Sequence, residues 1–262
     1  MDDPAWIIPA ICFPFPGRLR RHSPGLVIFT TDMENLTAIA FDADDTLWVN
    51  EPYFLEVEQK FCGLLEDYLP AHAVSKELFG VEMKNLPLYG YGIKAFMLSM
   101  IETILKVTNN TAPPELLHKA IDYGQEMLNK PIELLDGVEE TLQALRGKYR
   151  LVVATKGDLL DQERKLKKSG LEHYFHHIEI MSDKKESDYL KLLRHLDCRP
   201  SEFLMIGNSL KSDVMPVLAI GGHAAHVPYH TTWAHEKIDH AISHPCFYQM
   251  NNIADITSYL GV

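Results

Sequence analysis

The sequence predicts an α/β protein, a parallel sheet with helices on both faces, interrupted once by an inserted helical domain. Three observations carry this expectation. Five short apolar runs, "LTAIAFD" (36–42), "RLVVATKG" (150–157), "HHIEIMSD" (176–183), "EFLMIGNS" (202–209) and "GHAAHVPYH" (222–230), each end in a polar or glycine-containing turn. Helical patterns separate the later runs, from Leu159 to Lys168 and from Ser187 to Leu196. Residues 51–130 hold no convincing strand and instead repeat apolar residues three or four apart. Strand, helix, strand alternation favours parallel pairing, because each crossover helix returns the chain to the same end of the sheet.

Taken in order, residues 1–32 read as a mostly irregular extension. The segment "MDDPAWIIPAICFPFPGRLRRHSPG" starts acidic, is broken by Pro9, Pro14 and Pro16, and only then turns basic. A secretory signal has the opposite charge order and an unbroken apolar stretch. Folded sequence is therefore expected from near Met33, and the first strand ends on Asp42. In the insert, Tyr53, Val57, Phe61, Leu64, Leu65 and Tyr68 share one helical face, and Ile93, Phe96, Met97, Met100, Ile101, Ile104 and Leu105 share another. A third helix is expected after Thr111, with Thr111 as its cap and Pro113 and Pro114 in its first turn. These stripes read as core, not as a lipid or cofactor groove. The result is a discontinuous core domain, 33–50 and 131–262, and a helical domain, 51–130.

Composition narrows the function. A length of 262 residues suits one large or two modest domains, and 46% apolar residues can fill a core. The formal charge of −11 argues against a nucleic-acid partner, which requires clustered Lys and Arg. No apolar run approaches the ~20 residues that cross a bilayer. Cys12, Cys62, Cys198 and Cys246 lie far apart without a CxxC pair, as expected of reduced thiols in a cytoplasmic protein.

The carboxylates are the informative feature. In a parallel sheet, ligands bind beyond the carboxyl ends of the strands, where Asp42, Thr155, Asp183 with Lys184, and Asn208 all fall. Asp42 and Asp44, two residues apart, suit a hard cation such as Mg²⁺ together with a phosphate. With charge neutralised, one carboxylate can act as nucleophile and the other as acid and base. Asp213 offers a third carboxylate from a neighbouring strand end. The plainer alternative is that Asp44 and Asp45 only form a turn or helix cap.

"FDADDTLW" resembles the first motif of the haloacid dehalogenase superfamily, "LVVATKG" the second and "FLMIGNSLKSDV" the fourth, while "SDKKESDY" stands where the third motif's lysine belongs. The resemblance covers about Asn35 to Tyr229 and implies a Rossmann-like core with a helical cap between motifs one and two. It implies Asp42 as nucleophile, Asp44 as acid and base, and phosphoryl contacts from Thr155 and from Lys184 or Lys185. Magnesium would then be held by Asp42, the Asp44 backbone carbonyl and Asp213. Two positions depart from the pattern: Asp45 replaces a common glycine, and Asn208 replaces an acid and could bond a metal-bound water.

The function implied is a magnesium-dependent phosphatase acting on a small phosphorylated metabolite or a phosphoprotein, as a monomer or homodimer. A phosphomutase, a dehalogenase and a catalytically silent binding protein of the same fold are the alternatives. Other residues read more plainly. His223, His226, His230 and His235 alternate over two faces and suit core or surface roles, as do His176 and His177 at a strand start. Lys156 is either a solvated charge or a phosphate contact. The "YGYGIK" turn (89–94) is either a simple connection or a substrate-facing loop whose Lys94 meets an anionic group.

Overall fold

The computed structural model describes residues 33–238 and 240–262; the expected N-terminal extension lies outside the described residues. The strands are β1 (Ala38–Phe41), β2 (Arg150–Lys156), β3 (His177–Met181), β4 (Phe203–Gly207), β5 (His223–His226) and β6 (Phe247–Gln249). The helices are α1 (Glu51–Leu64), α2 (Ala71–Tyr89), α3 (Ile93–Val107), α4 (Pro114–Asn129), α5 (Val138–Leu145), α6 (Leu159–Ser169), α7 (Glu186–His195), α8 (Met215–Ala219) and α9 (Asp255–Leu260).

The strands form one sheet in the order β3-β2-β1-β4-β5-β6, every neighbouring pair parallel. The period of two along β1 sorts its side chains between two cores. Ile39 and Phe41 join Leu142 of α5, Leu166 of α6 and Ile256 of α9 on one face. Ala38 and Ala40 join Tyr189 of α7 and Val217 of α8 on the other. Strand order reverses between β1 and β4, so the loops leaving their carboxyl ends diverge and open a crevice. Helices α1 to α4 pack around a third core, with Val57, Phe61, Leu78, Phe96, Met100 and Ile104 buried in it. Among the described residues, no helix is long and apolar enough to cross a membrane.

Three details correct the expectations. The insert holds four helices, because α2 was not anticipated: Gly80 and Pro87 lower its intrinsic helicity, and its buried stripe is only Val74, Leu78, Val81 and Asn85. Thr111 does not cap α4; its hydroxyl donates to the Thr108 carbonyl (2.6 Å) and closes the preceding turn, and α4 starts at Pro114. The sixth strand, β6, spans three residues, too few to show a period. Of the histidines, His176 Nδ1 accepts from the Leu151 N–H (3.3 Å), and His223 is buried in stacked contact with Tyr248. At the far end of β3 from the crevice, His177 and His195 both reach the Glu179 carboxylate (2.8 and 3.3 Å).

Candidate active site

The turn after β1 builds the site. The Asp42 N–H still donates to the Ile206 carbonyl (2.9 Å), which fixes Asp42 at the strand end beside β4. The chain then folds back, with the Leu47 N–H donating to the Ala43 carbonyl (2.8 Å) and the Asp45 N–H to the Trp48 carbonyl (2.7 Å). This reversal puts Asp45 at φ +60°, the left-handed region, which glycine occupies freely and Asp better than most residues. The Asp45 carboxylate accepts from the N–H groups of Asn50 (2.8 Å) and Glu51 (2.9 Å), at the start of α1. Burial pushes its pKa up to about 7, against these two donors. The cap alternative thus holds for Asp45 and not for Asp44.

Asp42, Lys184 and Asp213 form one buried cluster. The Lys184 ammonium donates to Asp42 (2.5 Å) and to Asp213 (2.6 Å), and its side chain is 1% exposed. Lys185 is exposed and pairs with Asp183 (3.0 Å), so Lys184 is the lysine that enters the site. Asp213 lies on a single π-helical turn, Leu210–Val214, and also accepts from the Ser209 N–H (2.9 Å). Gly207 is required by close approach: a Cβ there would stand 2.2 Å from an Asp213 carboxylate oxygen. Two carboxylates share one ammonium. Burial, with Asp213 adding to it, pushes Asp42 up to about 7 despite Lys184. Burial opposes the charge on Lys184, but the two carboxylates outweigh it and raise its pKa.

Asp44 is held separately. One oxygen accepts from Trp48 Nε1 (2.8 Å) and Lys165 Nζ (3.0 Å), the other from Gln162 Nε2 (2.8 Å). Lys165 also donates to Asn50 Oδ1 (2.7 Å). Sequence reasoning missed Gln162 and Lys165. The available signal was their spacing of three on α6, directly after β2, with Gln162 polar where the helix is buried.

Thr155 ends β2 with 2% exposure, and its hydroxyl has no hydrogen-bond partner. A buried unsatisfied hydroxyl on a pocket wall is costly unless a ligand completes it. Asn208 flanks the same pocket: its N–H donates to Thr46 Oγ1 (3.1 Å), and that hydroxyl donates to Asp42 (3.2 Å). Lys156 is neither free nor solvated; it donates to Glu236 (2.5 Å) and Ser212 (2.8 Å) under the Tyr91 ring. Lys94 turns away to pair with Asp158 (2.8 Å), while Tyr91 lines the pocket.

Glu236, also missed, closes this network by accepting from Ser209 (2.5 Å) and Ser212 (2.6 Å) as well. Burial alone would raise its pKa, but Lys156 and the hydroxyls hold it down at about 2. A depressed carboxylate stabilises the fold above its unfolded value of 4.5 and loses that contribution as pH falls toward 2. Glu236→Gln is therefore expected to cost roughly 2–3 kcal/mol at neutral pH. In urea unfolding, the gap to wild type should narrow steadily in acid. A gap that is the same at every pH would assign the loss to packing instead.

The donor set fits magnesium. Asp42 and Asp213 offer hard oxygen ligands, and two carboxylates against one ammonium leave negative charge for a divalent ion to balance.

Comparisons with known proteins agree with this fold. Residues 36–221 match the family model described as a haloacid dehalogenase-like hydrolase. A haloacid dehalogenase-like family hydrolase from Xanthomonas campestris is 35% identical, covering 87% of this chain and 91% of its own, with a TM-score of 0.78. A phosphatase from Thermococcus onnurineus (19% identity, 86% and 98% coverage, TM-score 0.57) shares the fold. So does a 2-haloacid dehalogenase from Pseudomonas syringae (18% identity, 86% and 98% coverage, TM-score 0.60). No curated protein matches the chain.

Proposed function

The chain belongs to the haloacid dehalogenase-like hydrolase family, and from that premise we propose that it is a magnesium-dependent phosphohydrolase acting on a small phosphorylated metabolite. The observation that carries this reading is a second carboxylate, Asp44, on the same pocket as Asp42 but held by its own donors. A dehalogenase releases halide, which needs no proton, and would have no use for that group. An alkoxide leaving group does need one.

The residues then divide the work. Magnesium would be held by Asp42, the Asp44 carbonyl and Asp213, and would supply charge neutralisation and alignment for the phosphate. An Asp42 oxygen attacks phosphorus as the bond to the ester oxygen breaks, and Asp44 gives that oxygen its proton. Asp44 next takes a proton from water, whose oxygen attacks the aspartyl phosphate and frees Asp42. Lys184, already on Asp42, and the unpaired Thr155 hydroxyl stabilise charge on the transferring group. Helices α1 to α3 contribute Glu51, Phe54, Glu82 and Phe96 to the pocket wall, as a cap that excludes water would.

The test is phosphate release from a panel of phosphorylated metabolites, with magnesium and with a chelator. Release that depends on magnesium is expected. Chloride release from 2-chloropropionate without any phosphatase activity would overturn the reading, and transfer of the phosphoryl group to a second position of the substrate would identify a mutase.

A further inference from the structure

The pocket holding Asp42 and Asp44 extends to a wall made by the cap, and its charges are lopsided. Three lysines line it from the core side, and each is committed: Lys184 to Asp42 and Asp213, Lys165 to Asp44, Lys156 to Glu236. The cap side contributes Glu51 and Glu58 from α1 and Glu82 from α2. The charged neighbours that act most strongly on Glu51 and Glu82 are carboxylates. Glu58 has one hydroxyl donor, Ser75 (2.6 Å). Burial and this mutual repulsion push Glu51 up to about 8 and Glu82 up to about 7. A cation placed between these carboxylates would relieve their repulsion, whereas a second anionic group on the substrate would add to it.

Two further observations point to what it accepts. Gln162, 4% exposed and on the same pocket, has a side-chain oxygen without any partner. Its amide nitrogen is fixed on Asp44 (2.8 Å) and on the Lys156 carbonyl (3.3 Å), so the oxygen faces a place that only a donor can satisfy. Phe54 and Phe96, with ring centroids 5.2 Å apart, and the Tyr91 and Trp233 rings add aromatic surface, which attracts cations. Carboxylates, an orphan acceptor and aromatic rings together are the chemistry of ammonium recognition.

We propose that the cap half of the pocket receives an ammonium group on the leaving part of the substrate, which is then the phosphate monoester of an amine-bearing alcohol. This rests on the phosphohydrolase reading above. Water enters and the ester oxygen leaves with a proton, so the products are inorganic phosphate and the free amino alcohol. The phosphate end meets Lys184 and Thr155, and the ammonium end meets Glu51 and Glu82.

The test compares O-phosphoethanolamine with propyl phosphate, its uncharged isostere, and with phosphoglycolate, which carries a carboxylate instead. Wild-type kcat/KM is expected to favour the amine over propyl phosphate by about tenfold or more, as a charge-assisted contact gives. Phosphoglycolate should rank last. In the Glu51→Gln, Glu82→Gln double variant, with folding checked by its melting temperature, the amine-to-propyl ratio should collapse toward one. A wild-type ratio near one, a ratio untouched by the double variant, or a preference for phosphoglycolate would overturn the proposal. So would a variant that only needs more magnesium for half-maximal rate, since the carboxylates would then serve a metal. Should no ester be cleaved, the phosphohydrolase reading fails by itself. Calorimetric binding of the same three compounds to wild type then decides the pocket: tighter binding of the amine sustains the proposal, and equal binding refutes it.

Discussion

Asp42→Asn is expected to lower turnover of every phosphate ester by on the order of 10⁴-fold or more, because it removes the attacking oxygen itself. The change is isosteric and leaves Lys184 paired with Asp213, so folding should survive. Circular dichroism and thermal melting establish that the protein is intact, and single-turnover assays with acid quench test for the covalent intermediate. Wild type should trap labelled phosphate on the chain, and the variant should trap none. Robust hydrolysis by the variant would sink the assignment of Asp42 as nucleophile.

The second large effect separates acid catalysis from simple positioning. Asp44→Asn is expected to reduce kcat for an alkyl phosphate by about 10²–10⁴-fold, the range of a lost general acid. For an aryl phosphate such as p-nitrophenyl phosphate the loss on the first step should be much smaller, because that leaving group departs without a proton. The Asn oxygen can keep accepting from Trp48 and Lys165, while its amide nitrogen faces Gln162, whose side-chain amide can turn its unpaired oxygen to accept from it. Equal damage to both substrates would show that Asp44 acts through placement of the metal or of the turn.

The sheet was legible because strands buried on both faces read as short, nearly continuous apolar runs, each closed by a polar or glycine-containing turn. All five expected runs became parallel strands in one sheet, and of the candidates at strand ends Asp42, Thr155, Lys184 and Asn208 line one pocket, while Asp183 lies outside that lining and pairs with Lys185. Helix α2 was not legible, since Gly80 and Pro87 interrupt it and tertiary packing on α3 overrides that weak propensity. Strand β6 is held by its neighbour β5, not by its own pattern.

Sequence by itself determined which acids converge on the candidate site, because they are tied to strand ends and strand ends converge in a parallel sheet. It also recorded the departure at Asp45, though not its meaning; only the backbone shows that this residue takes a left-handed φ, the region glycine occupies most freely. The choice of Lys184 over Lys185 was decided by the tertiary structure, since adjacent residues leave a loop in different directions and one of them reaches the buried acids. So were the partners of Asp44: Gln162 and Lys165 lie 118 and 121 positions further along the chain and meet it through the packing of α6 against the first turn. The charge of the cap wall belongs to the same class. Glu51, Glu58 and Glu82 are unremarkable in a chain of net charge −11, and come together only where two helices bring them around one cavity.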